Sequence, residues 1–317
     1  MRVFAIPLTT RFRGITVREG VLFGSAETGW GEWSPFLEYD AQVAEPWLRC
    51  AEEAAAGDWP EPLRDRIPVN VTVPAIGPEE AHRIAGRGGC ATAKVKVAEP
   101  GQSLGEDQAR LEAVRDALGP SAAIRVDANG GWSVDEAVSA IALLDRAAGG
   151  LEYVEQPCAT VEDLAACRRR VEVPIAADES IRRAEDPYRV RDLEAADIAV
   201  LKVQPLGGVR ACLRIAEDIA MPVVVSSALE TSVGIAAGLA LAAALPDLPY
   251  ACGLATVQLL ATDVAVSPLI PVDGFLPVGP PTVDPAALTQ VVASQDRHAW
   301  WEARLAQVRA LREDAGS

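Results

Sequence analysis

Lys94, Lys96, Asp127, Glu155, Asp178 and Lys202 are the residues in this chain best suited to chemistry, because each closes a short apolar run. The runs are Ala93-Lys94-Val95-Lys96, Ile124-Arg125-Val126-Asp127, Tyr153-Val154-Glu155, Ile175-Ala176-Ala177-Asp178 and Val200-Leu201-Lys202. From Lys96 to Lys202 the closing charge advances by 31, 28, 23 and 24 positions. A barrel of alternating strands and helices spends roughly 30 residues per unit and does its chemistry at the C-terminal strand ends. The spacing therefore predicts three carboxylates between lysines, one per successive strand, facing a common mouth. In Ile124-Arg125-Val126-Asp127-Ala128-Asn129-Gly130, residues two apart share a strand face, so Arg125 and Asn129 should accompany Asp127 as supporting groups. Buried charge on that face requires partners, either an internal salt bridge or a ligand.

Oxygen-only ligation by Asp127, Glu155 and Asp178 suits Mg²⁺, with Mn²⁺ as a substitute. Lys94 and Lys96 lie on one face, where mutual repulsion and partial desolvation should lower a lysine pKa toward neutrality, as a general base requires. Lys202 approaches from the opposite wall. A lysine on each side of a metal suits proton removal beside a carboxylate, with the metal stabilising the enediolate. Lys94 and Lys202 could instead simply neutralise the acids. A Schiff-base lysine is a further chemical option, but it leaves three acids without a task.

The elements that must hold these residues follow from the patterning. Residues 1–66 read as a small α+β unit: strands at Val3–Ile6 and Thr16–Gly24 around a polar loop, 9–14, a turn at Gly29–Pro35, and an Ala-rich helix from Ala41 to Ala56. Strand–helix alternation begins with a strand at Ile67–Val73. Helices are predicted at Leu104–Leu118, Val161–Arg170, Pro187–Leu193, Val209–Ala220 and Ser232–Ala244, with a capping box opening one at Ser133. The last strand is Tyr250–Gly253. Pro-rich sequence then leaves the barrel, and a helix over Asp296–Glu313 ends the chain. The division expected is a capping domain, 1–66, completed by 267–317, around a barrel domain, 67–266.

With 317 residues, half of them apolar, the chain can fill a large core. A formal charge of −16 argues against nucleic acid as a partner. No apolar run is long enough to span a membrane, and the opening Met1–Pro7 stretch is too short for a secretory signal. The six cysteines lack CxxC spacing, which predicts reduced thiols and a cytoplasmic protein rather than structural zinc or disulfides. His82 and His298 accompany no serine or cysteine nucleophile motif. The sequence specifies no oligomeric partner, and a monomer is compatible with it.

Lys94-Val95-Lys96, Asp127-Ala128-Asn129, Glu155-Gln156-Pro157, Asp178-Glu179-Ser180 and Lys202-Val203-Gln204-Pro205-Leu206-Gly207-Gly208 together resemble the muconate-lactonizing branch of the enolase superfamily. Gly29-Trp30-Gly31-Glu32 extends the likeness into the N-terminal unit. The resemblance implies an α/β fold, a modified TIM (β/α)7β barrel with an α+β capping domain, and a lysine base working with Mg²⁺. Within the branch, Thr10–Gly14, Arg125, Gly253-Leu254-Ala255-Thr256 and Leu259–Val264 are most similar to the short o-succinylbenzoate synthase family. That likeness implies a carbon–oxygen lyase acting on a small carboxylate, dehydrating 2-succinyl-6-hydroxy-2,4-cyclohexadiene-1-carboxylate to 2-succinylbenzoate in menaquinone biosynthesis. Lys96 and Lys202 would be catalytic, and Arg11, Ser226, Ser227 and Gly253 would line the succinyl arm. N-succinylamino acid racemase or another epimerase of the branch would keep the same acids and lysines. A non-catalytic dicarboxylate- or metal-binding barrel is a third reading.

Overall fold

A computed structural model describes residues 1–12, 14–25, 27–182 and 186–315. The chain opens with β1 (Arg2–Phe12), β2 (Ile15–Ser25) and β3 (Gly29–Trp33), an antiparallel sheet in the order β1-β2-β3, followed by α1 (Ala41–Ala56). Asp40 caps α1 by accepting from the Val43 amide, and Gly57 ends it in the left-handed conformation. The predicted turn at 29–35 is mostly strand. Its glycines serve close packing instead, since a Cβ on Gly31 would lie 1.8 Å from the Ala51 carbonyl oxygen of α1. The predicted polar loop is likewise mostly strand, with β1 running through Thr9–Phe12. Arg13 of that loop lies outside the described residues.

The expected strand Ile67–Val73 divides in two. β4 (Arg66–Pro68) pairs antiparallel with β12 (Phe275–Pro277), and β5 (Val71–Val73) enters the barrel. The barrel continues through α2 (Pro78–Ala85), β6 (Thr92–Lys96), α3 (Leu104–Leu118), β7 (Ala123–Asp127), α4 (Val134–Ala148) and β8 (Tyr153–Glu155). It completes with α5 (Val161–Arg168), β9 (Ile175–Ala177), α6 (Asp186–Asp192), β10 (Ile198–Leu201), α7 (Val203–Leu206), α8 (Val209–Ile219), β11 (Val223–Val225) and α9 (Ser232–Ala244). The parallel sheet runs β11-β10-β9-β8-β7-β6-β5. Its strands are short and largely apolar, as expected where both faces are covered.

Residues 252–253 close the barrel. Cys252 exchanges backbone hydrogen bonds with Pro68 and Asn70 on one side, and Gly253 with Val225 and Ser227 on the other. The predicted last strand thus lies between the two sheet edges, completing a (β/α)7β arrangement. Ser103 and Ser133 form full capping boxes with Glu106 and Glu136, fixing the starts of α3 and α4.

α10 (Pro285–Gln290) and α11 (Gln295–Ala315) return the chain to the N-terminal sheet. Trp301 of α11 packs edge-on against Trp33, in a core shared with Val3, Val21, Trp47 and Leu305. α9 is apolar on all sides and buried along nearly its whole length. No glycine ends it; Arg64 instead donates from Nη1 to the carbonyls of Ala242 and Leu245 (both 2.7 Å) and from Nη2 to that of Pro246 (3.0 Å). Arg64→Ala should strip these carbonyls of their donor and lower unfolding free energy by about 1–3 kcal/mol. Denaturant titration measures this, and an unchanged midpoint would show that Arg64 does not cap α9. All six cysteines are buried and free of disulfides. No helix among the described residues is long and apolar enough to cross a membrane.

Candidate active site

Lys96, Asp127 and Glu155 lie side by side in one row of the sheet, as Cα partners across β6, β7 and β8. Asp178 directly follows β9 and Lys202 directly follows β10. Period-two alternation points this row into the barrel, and the strand ends lift it to the mouth. β6 and β10 are four strands apart in an eight-strand barrel, which sets Lys96 and Lys202 on opposite walls.

The cations lie directly on the acids. Lys96 Nζ donates to Asp127 Oδ2 at 2.5 Å and to Asn129 Oδ1 at 2.7 Å. Lys94 Nζ sits between Glu155 Oε1 (2.7 Å) and Asp127 Oδ2 (3.2 Å). Lys202 Nζ donates to Asp178 Oδ2 at 2.5 Å, and Arg182 Nη2 reaches the same oxygen at 3.0 Å. All three carboxylates are almost fully buried. Gln156 fastens the Asp178 turn: its Oε1 accepts from the Asp178 and Ser180 amides, and its Nε2 donates to Ser180 Oγ.

These contacts set the acidities. Burial alone would lower the Lys94 ammonium, but the Glu155 and Asp127 carboxylates outweigh it and hold the pKa well above the usual value. The expectation that lysine–lysine repulsion would lower it therefore fails at Lys94, because each ammonium faces carboxylates rather than its neighbour. Burial lowers Lys202, with Asp178 opposing. Burial also raises Asp127, yet Lys96 and Lys94 pull it below the ordinary range; Arg182 and Lys202 do the same for Asp178. Glu155 is pushed up to about 8 by burial and by the negative charge of Asp127.

Among the described residues, no three His, Cys, Asp or Glu side chains gather closely enough to hold a metal as they stand. Lys94 lies between two of the acids. The donor set nevertheless suits a hard divalent cation: carboxylate oxygens project from neighbouring rigid strand ends, and their mutual repulsion raises Glu155. Asp127, Glu155 and Asp178 could hold such an ion once the lysines swing aside.

A cavity of about 330 Å³ opens above this cluster. Of the residues singled out in the sequence, Lys94, Lys96, Asp127, Asn129, Asp178 and Lys202 line it, and so do Arg11, Ser226, Ser227 and Gly253. Ser227 and Thr256 share a hydrogen bond of 2.8 Å, and a Cβ on Gly253 would lie 2.6 Å from Ser226 Oγ. Glu155 lies beneath, reached through Lys94. Arg125 is not part of the lining; it sits one row deeper beside Lys94, donating to Glu152 and the Ala251 carbonyl and packing on Tyr153. Arg182, Thr72 and Phe36 also line the cavity, unmarked in the sequence, and Gln156 stood there only as part of a motif, without a role. An arginine four residues after a strand-end acid was the available signal for Arg182. Phe12 brings its ring within 5.5 Å of Lys96 Nζ.

Fold and site together define an enolase-type barrel. Residues 78–282 match the family described as enolase C-terminal domain-like, and residues 3–55 the one described as enolase N-terminal domain-like. The fold is similar to muconate lactonizing enzyme from Pseudomonas putida, with a TM-score of 0.76 at 20% identity over 92% of this chain and 98% of that one. It is equally similar to L-Ala-D/L-Glu epimerase from Bacillus subtilis, with a TM-score of 0.76 at 24% identity over 89% and 95% of the two chains. In sequence the chain is 64% identical to o-succinylbenzoate synthase of Thermobifida fusca, over 98% of this chain and 96% of that protein. It is 56% identical to the enzyme of that name from Mycolicibacterium smegmatis, over 98% and 95%. The chain belongs to the o-succinylbenzoate synthase family of the enolase superfamily. Enzymes of this superfamily generally use a divalent metal.

Proposed function

We propose that this protein is a Mg²⁺-dependent carbon–oxygen lyase that dehydrates 2-succinyl-6-hydroxy-2,4-cyclohexadiene-1-carboxylate to 2-succinylbenzoate in menaquinone biosynthesis, in the cytoplasm. The observation that carries this reading is the row Lys96–Asp127–Glu155 with Lys202 opposite, in a chain 64% identical to a named o-succinylbenzoate synthase. The barrel, 67–266, supplies the reacting groups, and the cap, 1–66 with 267–317, closes the mouth.

Asp127, Glu155 and Asp178 would hold the metal, with Mn²⁺ as a possible substitute. When bound, that ion supplies Lewis-acid stabilisation of negative charge on the substrate carboxylate. Lys96, freed from Asp127, takes the proton alpha to the carboxylate. The same ammonium returns a proton to the departing hydroxyl, so water leaves from the face on which the proton was taken. Lys202, on the opposite wall, opposes the developing enediolate charge. Lys94, which lies between Glu155 and Asp127, would turn aside to admit the ion and remain next to both as a neighbouring cation. Asn129 orients Lys96 through its Oδ1, while Arg125 supports the row from below. Arg11, Ser226, Ser227 and Gly253 face the succinyl arm.

Purified protein with Mg²⁺ should convert the cyclohexadiene acid to 2-succinylbenzoate, followed by the appearance of the aromatic product. No product at saturating acid and Mg²⁺ would remove this reading.

A further inference from the structure

Behind one wall of the cavity lies a buried guanidinium that the mechanism leaves unused. Arg18, on β2 of the cap, is 2% exposed. Its Nε donates to the Leu229 carbonyl (3.0 Å), and its Nη2 to the Ala228 carbonyl (3.3 Å), to Ser34 Oγ (3.0 Å) and to the Ser34 carbonyl. Its guanidinium carbon also lies 4.6 Å from the centre of the Phe36 ring. Phe36, Ala228 and Leu229 all line the cavity, whereas Arg18 itself does not.

Leu229 needs such support. Its φ of +70° lies in the left-handed region, which a bulky side chain adopts only where its surroundings enforce it. Arg18 holds the carbonyl side of this turn. The Glu230 carboxylate holds the amide side, accepting from Ala228 N at 2.9 Å. With both carbonyls turned back onto Arg18, the turn shows the cavity apolar surface. The charge of the same cation acts on two buried acids: burial and Glu230 push Glu32 up to about 7 against Arg18, and Arg18 likewise opposes the burial that raises Glu230.

We propose that Arg18 is a positioning residue for substrate selection, fixing Phe36, Ala228 and Leu229 as an apolar wall for the carbon frame of a cyclic carboxylate. This rests on the dehydratase reading. A lysine keeps the charge but cannot serve both carbonyls as a planar fork, while glycine removes the strain at position 229.

The test measures KM and kcat for the cyclohexadiene acid, together with Mg²⁺ affinity, in wild type, Arg18→Lys, Leu229→Gly and the double variant. Arg18→Lys should raise KM about tenfold with kcat within about threefold, the pattern of lost binding common to ground and transition states. Mg²⁺ affinity should stay at the wild-type value. Leu229→Gly should raise KM as well, and adding Arg18→Lys to it should change KM by less than about twofold, because both act through one turn. Should Arg18→Lys fail to fold, Leu229→Gly alone must raise KM with kcat held. A wild-type KM in Arg18→Lys, effects that simply multiply, or kcat falling together with metal affinity would overturn the inference. A wild type inactive on the acid would instead overturn the dehydratase reading itself.

Discussion

Lys96→Ala should turn over the cyclohexadiene acid at least about 10³-fold more slowly than wild type, the scale of a general-base contribution. Lys96 is the lysine placed for this work: it lines the cavity and makes its contacts at the rim, to Asp127 and Asn129. Removing it leaves the three carboxylates in place, so Mg²⁺ affinity measured by calorimetry should persist while kcat collapses. Lys94 differs. It is buried between Glu155 and Asp127, whose charges raise its pKa, and it lies deeper than Lys96. If Lys94→Ala proved the slow variant and Lys96→Ala the competent one, the two roles would be reversed.

Asp178→Asn should weaken Mg²⁺ binding by at least about 100-fold, since loss of even an outer-shell partner of a metal ligand costs up to that much. Asp178 also neutralises Lys202 and Arg182, so its loss leaves two close cations with less opposing charge. Activity at fixed Mg²⁺ should fall along with affinity and recover partly as Mg²⁺ is raised. Wild type stripped by excess chelator should be inactive until the ion is restored. Full turnover in chelator, with no metal detectable, would show that these acids serve only to pair the lysines.

The helices were legible from their patterning and, at α4, from the capping box at Ser133; the structure adds the caps that fix the other starts. Asp40 and Gly57 bracket α1, Ser103 and Ser133 start α3 and α4, and Thr231 starts α9. Short α7 and α10 carry too few residues for a period to register. β1 was cut short because its outer half is polar; Thr10, Arg11 and Phe12 face the cavity mouth rather than a core, so apolar alternation does not mark them. The Gly29–Pro35 glycines suggested a turn, but Gly31 answers the close approach of α1, a tertiary fact that local sequence does not carry.

The acid–lysine row was legible for a different reason. A charge ending each apolar run is a local signal, and regular βα spacing turns it into a spatial one. Two things escaped that logic. Which side chains a lysine tip reaches is set in three dimensions, and this separates Lys94, between Glu155 and Asp127, from Lys96, on Asp127 and Asn129, despite their shared strand. Arg18 meets Leu229 across 211 positions, and no pattern at either end announces the contact.

The lysine pair permits either syn elimination, in which one lysine makes both proton transfers, or racemisation, in which opposite lysines act as acid and base. The most direct measurement offers the cyclohexadiene acid and an N-succinylamino acid separately to the Mg²⁺-loaded protein in D₂O and compares kcat/KM. 2-Succinylbenzoate should form efficiently, with much weaker alpha-deuterium uptake by the amino acid. Racemisation with deuterium uptake at an efficiency equal to or above dehydration would contradict the dehydratase reading.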